Sequence, residues 1–173
     1  AVLNKSLKWG WLKHPLTQNI EMLSEKGTAR EVYLSREEFD TLINLIGHPE
    51  VKKIIWVAAY TGLRRGEIVS LTQENWKAPY IRLSSKTKSG KSRSVPVIEE
   101  LHHMITLPFS VSLTQVRYWF EKARKEMGRP DLRMHDLRHT FASWLLENPE
   151  MALTTVRDLL GHSSLAVTSK YGH

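Results

Sequence analysis

The sequence predicts an α+β fold that is mainly α-helical, with a small antiparallel β-hairpin or sheet at one edge. Three observations predict it. Apolar residues recur three and four apart in successive segments bounded by capping residues, glycines and prolines. Two short stretches, residues 80–85 and 93–97, instead alternate around the turn-rich Lys88-Ser89-Gly90-Lys91. The chain of 173 residues is also long enough to bury one hydrophobic core.

Residues 1–13 carry Leu3, Leu7, Trp9, Trp11 and Leu12 with no companion segment to cover them, and are expected to be the end of a preceding helix. His14-Pro15 stops that piece, because the residue before a proline is pushed out of the helical region. Residues 16–30 are polar and mixed and read as a linker, so the chain is expected to be the C-terminal part of a larger protein. Ser35-Arg36-Glu37-Glu38 is a capping box that opens a helix through Phe39, Leu42, Ile43 and Ile46, stopped by Gly47-His48-Pro49. A second, more apolar helix runs from Glu50 through Ile54, Ile55, Val57, Ala58 and Ala59 to a break at Thr61-Gly62. A third is expected from about Leu63, burying Ile68 and Leu71 and placing Arg64 in its first turn. The hairpin follows, and residues 99–112 read as irregular, with no chemistry in His102 or His103. From about Leu113 a helix turns Val116, Trp119, Phe120 and Ala123 inward and Arg117, Lys122, Arg124 and Lys125 outward. The helix over 134–145 buries Leu137, Phe141 and Leu145. Another, from about Leu153 to Leu160, is closed by Gly161, and Ser163 or Ser164 caps a last short helix carrying Thr168, Lys170 and Tyr171.

The chain holds 25 Lys and Arg against 18 Asp and Glu, a formal net charge of +7, and such an excess favours a polyanionic partner such as nucleic acid. It has no cysteine, which removes disulfides, thiol nucleophiles and thiolate metal sites. No apolar run approaches the roughly 20 residues that cross a bilayer. No glycine-rich nucleotide loop, His-Glu-x-x-His or paired-carboxylate cluster occurs, so the usual metal and ATP routes to phosphoryl chemistry find no motif here.

What remains is basic chemistry at helix starts. His135 and Arg138, three apart, share one face at the beginning of their helix, where free N–H groups and the helix dipole already favour an anion. Arg64 is expected in the same setting. A His-x-x-Arg alone is more simply a cap beside a solvated arginine; only partners elsewhere in the chain make it a phosphate seat. Arg82, Lys86, Lys88, Lys91 and Arg93 crowd the hairpin with positive charge, either as protection of an exposed sheet edge or as a finger along a nucleic-acid backbone.

Five pieces then fall in one order: Thr61-Gly62-Leu63-Arg64-Arg65-Gly66-Glu67-Ile68, the hairpin from Lys88 to Pro96, His135-Asp136-Leu137-Arg138-His139-Thr140-Phe141, Leu159-Leu160-Gly161-His162, and Thr168-Ser169-Lys170-Tyr171. Over residues 31–173 the chain resembles the catalytic domain of a tyrosine recombinase, of the phage integrase type. The resemblance implies a DNA breaking and rejoining domain over 31–173, with Arg64 and Arg138 clamping a phosphate. It implies His135 in the His-x-x-Arg box, His162 at the second His/Trp position and Tyr171 as nucleophile, nine residues after His162. The hairpin lysine is assigned to Lys88, eight residues before Pro96, with Lys86 the competitor; Arg82, Lys86, Lys91 and Arg93 are assigned to DNA binding, and Glu67 is expected to orient an arginine or a histidine. It further implies site-specific recombination through a 3′-phosphotyrosyl bond without metal, ATP or any cofactor. The implied partners are double-stranded DNA carrying recombination sites, a tetramer of protomers on that DNA and accessory DNA-bending proteins, in the bacterial host cytoplasm and with no membrane. A type IB topoisomerase with the same chemistry and a non-catalytic DNA-binding relative are the alternatives.

Overall fold

The structure is a computed structural model that describes residues 32–84, 92–162 and 168. Ten elements follow in order: α1 (Arg36–Leu45), α2 (Pro49–Thr61), α3 (Arg65–Val69), β1 (Trp76–Lys77), β2 (Tyr80–Leu83), β3 (Arg93–Pro96), α4 (Glu99–Met104), α5 (Leu113–Glu126), α6 (Asp136–Leu146) and α7 (Leu153–Leu160). The fold is the expected one, helical with a three-stranded antiparallel sheet in the order β1-β2-β3. None of these helices is long and apolar enough to cross a membrane. The expected helix end and linker over 1–30, the hairpin tip with Lys86, Lys88 and Lys91, and the terminal Lys170 and Tyr171 lie outside the described residues.

α2 is the axis of the core. Val51, Ile54, Ile55, Val57 and Ala59 are fully buried, because α3, α4, α5 and α6 all pack against it. Pro49 suits its first turn, where no intrahelical N–H partner exists to be lost, and Gly62 ends it in the left-handed region at φ 62°. Glycine is needed there twice over. A Cβ at residue 62 would stand 2.4 Å from Cδ1 of Phe141 and 2.9 Å from Cδ2 of Leu160, both inside the small cluster where α6 meets α7. α1 begins as the capping box requires: the Ser35 hydroxyl accepts from the Glu38 N–H at 3.2 Å and the Glu38 carboxylate accepts from the Ser35 N–H at 2.9 Å. α6 is fastened beside it by two buried bonds. The Thr140 hydroxyl accepts from the Leu34 N–H at 3.0 Å, and the Trp144 indole donates to the Leu34 carbonyl at 3.0 Å. Such pairing satisfies polar groups that burial would otherwise penalise.

Several local expectations are corrected. The third helix starts at Arg65 rather than Leu63, leaving Arg64 as its extended N-cap, because the left-handed turn at Gly62 postpones helical geometry. Residues 99–104 form a helix, α4, where irregular chain was expected; its one buried apolar side chain, Leu101, gives no periodicity to read. His102 packs parallel to Trp76 at a centroid distance of 6.3 Å, a contact between α4 and the edge strand β1. β1 adds a third strand through only two residues, too short for alternation to show. Arg124 turns back rather than outward, donating at 2.6 Å to the carbonyls of Pro130 and Leu132, and so ties α5 to the approach of α6. Trp119 and Leu145, expected inward, are half-buried.

Candidate active site

Three of the described site residues expected from the sequence meet at one cleft. Arg64, His135 and Arg138 line a cavity of about 400 Å³ together with Arg65 and Arg133, two arginines that the sequence reading did not single out. Their position beside Arg64 and His135 in the chain was the signal available. Four arginines and a histidine around one opening give it the positive character that suits an anion.

Each side chain is placed by a local device. Arg138 stands in the first turn of α6 and is only 3% exposed. Its Nη1 donates to the Gly62 carbonyl at 2.6 Å and its Nη2 to the Leu160 carbonyl at 2.5 Å. The two carbonyls close the ends of α2 and α7, so two elements together fix the direction of the arginine. Arg64 reaches the same cleft from the other side. Its N–H donates to Glu67 Oε2 at 2.8 Å and its Nη1 to Glu67 Oε1 at 3.2 Å, with the side chain still 30% exposed. His135 occupies the N-cap position of α6 and meets the ring of His139 edge to face at 5.3 Å between centroids.

Glu67 lies at the junction. Burial alone would raise its carboxyl, but hydrogen bonds from the Arg93 guanidinium and the Arg64 N–H, with the charges of both arginines, hold it below the ordinary carboxylate value. Arg93 is accordingly not among the outward DNA-contacting side chains expected of the hairpin. It is 7% exposed, donating to both Glu67 oxygens at 3.1 and 2.7 Å and to the Leu159 carbonyl at 3.1 Å. The strand register gives the reason. Arg93 pairs with the buried Leu83, and its neighbour two residues on, Val95, is fully buried, so all three share the inner face. That alternation was legible in the sequence. Arg82, opposite Ser94, is exposed on the outer face.

His162 follows Gly161, which ends α7 in the left-handed region at φ 65°. Its Nδ1 lies 3.0 Å from the Thr168 hydroxyl. It stands beside the cleft rather than in its lining. Burial, then the charges of Arg138 and Arg64, with smaller effects from His139 and His135, push its imidazole down to about 4. His135 is lowered in the same direction, by desolvation and by Arg138 and Arg64, with Asp136 opposing. Since His135 keeps exposed surface, the neighbouring guanidinium charges are the firmer cause of its shift. Both shifts favour the neutral imidazole near pH 7.

The chain is similar to known proteins in both sequence and fold. A sequence model of the phage integrase family matches residues 110–173. The integrase of Haemophilus phage HP1 is 32% identical, in an alignment covering all of this chain and 52% of that protein. The integrase of Escherichia phage P2 is 31% identical, covering all of this chain and 51% of that protein. Among solved structures, the catalytic domain of bacteriophage HP1 integrase superposes with a TM-score of 0.69 at 28% identity, covering 82% of this chain and 87% of that one. XerA recombinase gives 0.66 at 28% identity, over 82% and 60%. The chain belongs to the tyrosine recombinase family, of the phage integrase type. It spans about half the length of the two integrases.

Proposed function

We propose that this chain is the breaking and rejoining domain of a site-specific DNA recombinase that integrates and excises a mobile element. The observation that carries the reading is the convergence of Arg64, His135 and Arg138 on one cleft from segments more than 70 residues apart in the chain. A phosphodiester is anionic and gains charge on its non-bridging oxygens as it is attacked, so preoriented guanidiniums lower the barrier more than they stabilise the ground state. Arg138, fixed by the Gly62 and Leu160 carbonyls, and Arg64, held by Glu67, are the two forks for those oxygens.

In this reading the Tyr171 hydroxyl attacks phosphorus, a phenolic O–P bond forms, and the bond to the 5′-oxygen breaks. The phenol, with an ordinary pKa near ~10, must release its proton as it attacks, and a neutral His135 is in the right state to receive it. Lys88, or Lys86, returns a proton to the departing 5′-oxygen. His162 donates to a non-bridging oxygen, which requires the tautomer that carries its proton on Nε2 and accepts at Nδ1 from the Thr168 hydroxyl 3.0 Å away. The phosphotyrosyl bond keeps the energy of the diester, so a different 5′-hydroxyl can reverse the step and complete strand exchange. The partner is double-stranded DNA, on which protomers act in a tetramer with DNA-bending proteins assisting; Arg82 and the hairpin lysines Lys86 and Lys91 follow its backbone.

The full-length protein and its Tyr171→Phe variant, each incubated with a nicked duplex spanning the junction of element and host DNA, test this. The parent is expected to give a protein-DNA adduct that survives denaturant, and the variant none. No adduct from the parent, or an equal yield from the variant, refutes the reading.

A further inference from the structure

We infer that Arg93 is a positioning residue of the phosphate seat: it neutralises Glu67 and thereby leaves the charge of Arg64 available to the scissile phosphate. The inference rests on the proposed recombinase reading and concerns a residue that touches no DNA in it.

Glu67 offers two carboxylate oxygens to two arginines. Arg93 takes both, at 3.1 and 2.7 Å, whereas Arg64 reaches only Oε1 with its side chain, at 3.2 Å. The trio holds two guanidiniums against one carboxylate, so it presents a net positive charge, and that surplus sits on Arg64, the more exposed of the two. Were Arg93 neutral, Glu67 would be a buried carboxylate with one cation in reach. Arg64 would then close onto both of its oxygens, and an Arg64 whose charge is compensated by Glu67 is a poor phosphate ligand.

Arg93 is itself held so that it cannot trade places with Arg64. Its Nε donates to the Leu159 carbonyl at 3.1 Å, in the same last turn of α7 whose Leu160 carbonyl orients Arg138. Its guanidinium also lies against Gly161: a Cβ there would stand 3.0 Å from Nη1 and 3.1 Å from Cδ. The missing side chain at 161 therefore serves two ends, the left-handed turn before His162 and the room for Arg93. One buried guanidinium thus joins the inner face of β3, the Glu67-Arg64 pair and the segment that carries His162.

A counter-charge makes a demand that a merely structural residue does not. Removing the carboxylate should undo part of the damage of removing the arginine. Single-turnover adduct formation on the nicked duplex is measured for the full-length parent, Arg93→Gln and the double variant Arg93→Gln with Glu67→Gln, with duplex affinity and thermal melts alongside. Arg93→Gln is expected to slow cleavage by about 10- to 100-fold, the cost typical of a misplaced catalytic group, with duplex affinity within about threefold because the rest of the DNA surface is unchanged. The double variant is expected to regain several-fold of that loss. A double variant no faster than Arg93→Gln, or an Arg93→Gln protein as fast as the parent, overturns the inference. If Arg93→Gln gives no cooperative melt, Arg93→Lys replaces it. A lysine cation covers one oxygen and leaves the other to draw Arg64, so the same rescue by Glu67→Gln is required and its absence is equally decisive. Failure of the recombinase reading is separate, since the parent would then form no adduct at all.

Discussion

Gly62 joins the fold to the proposed phosphate seat, and replacing it by alanine tests both. At φ 62° an L-side chain costs about 1–2 kcal/mol in the backbone. The new Cβ would lie 2.4 Å from Phe141 Cδ1 and 2.9 Å from Leu160 Cδ2, neither of which can swing into solvent, and overpacking of that kind costs a further ~1–3 kcal/mol. Gly62→Ala should therefore lose roughly 2–5 kcal/mol, less a few tenths returned by the stiffer unfolded chain. Two other glycines separate the contributions. Gly128, at φ 76° with nothing within 4 Å of a built Cβ, bears the backbone cost alone, and its alanine variant should lose about 1 kcal/mol. Gly66, in α3 with the same open space and an ordinary φ, should gain about 0.5–1 kcal/mol as alanine. Urea unfolding at constant m reads all three. Because the Gly62 carbonyl accepts from Arg138, the Gly62 variant should also bind inorganic phosphate more weakly while the Gly128 variant does not. Equal losses at 62 and 128, or unchanged phosphate binding in both, would refute the account of Gly62 as a close-packed support for Arg138.

The anion site itself should be visible in thermal melts. Sulfate or phosphate at about ten times its dissociation constant stabilises by about 1.4 kcal/mol, or roughly 3–6 °C for a domain of this size, relative to chloride at matched ionic strength. Arg138→Gln should abolish the difference, and identical melts in the two salts would mean that the cleft holds no anion. The lowered His162 gives a pH dependence whose sign is fixed: the unfolded chain binds the proton more readily, so stability present above about pH 6.5 declines as pH falls towards about 4. Allowing for solvent screening of a half-exposed ring, the decline amounts to about 1–2 kcal/mol. His162→Gln should flatten that part of the curve and bound phosphate should shrink it, since an anion favours the imidazolium; superimposable curves for parent and variant would contradict the assignment.

Much of this protein was written in local pattern. The capping box at Ser35, the apolar run of α2, the glycine stops at 62 and 161 and the alternation of β2 and β3 each act within a few residues, where backbone sterics and side-chain period decide the outcome. The order of the basic boxes pointed to the family by the same kind of short-range reading. Elements whose existence depends on contacts left no such trace. β1 is two residues that become a strand only because β2 lies beside them, and α4 buries a single leucine.

The sequence by itself determined most of the helices and the paired strands β2 and β3, because these follow from forces between near neighbours. Only the tertiary structure decided what each charge faces. Arg93 and Arg64 both bond to Glu67; strand alternation already turns Arg93 inward, but nothing in the local sequence says that it meets Glu67 there while Arg64 keeps the more exposed position. That pairing is made by Glu67 and by the end of α7 that receives Arg93, contacts 26 and 66 residues away in the chain. Charges interact through space and through the local dielectric, so their roles are settled only once distant segments have packed.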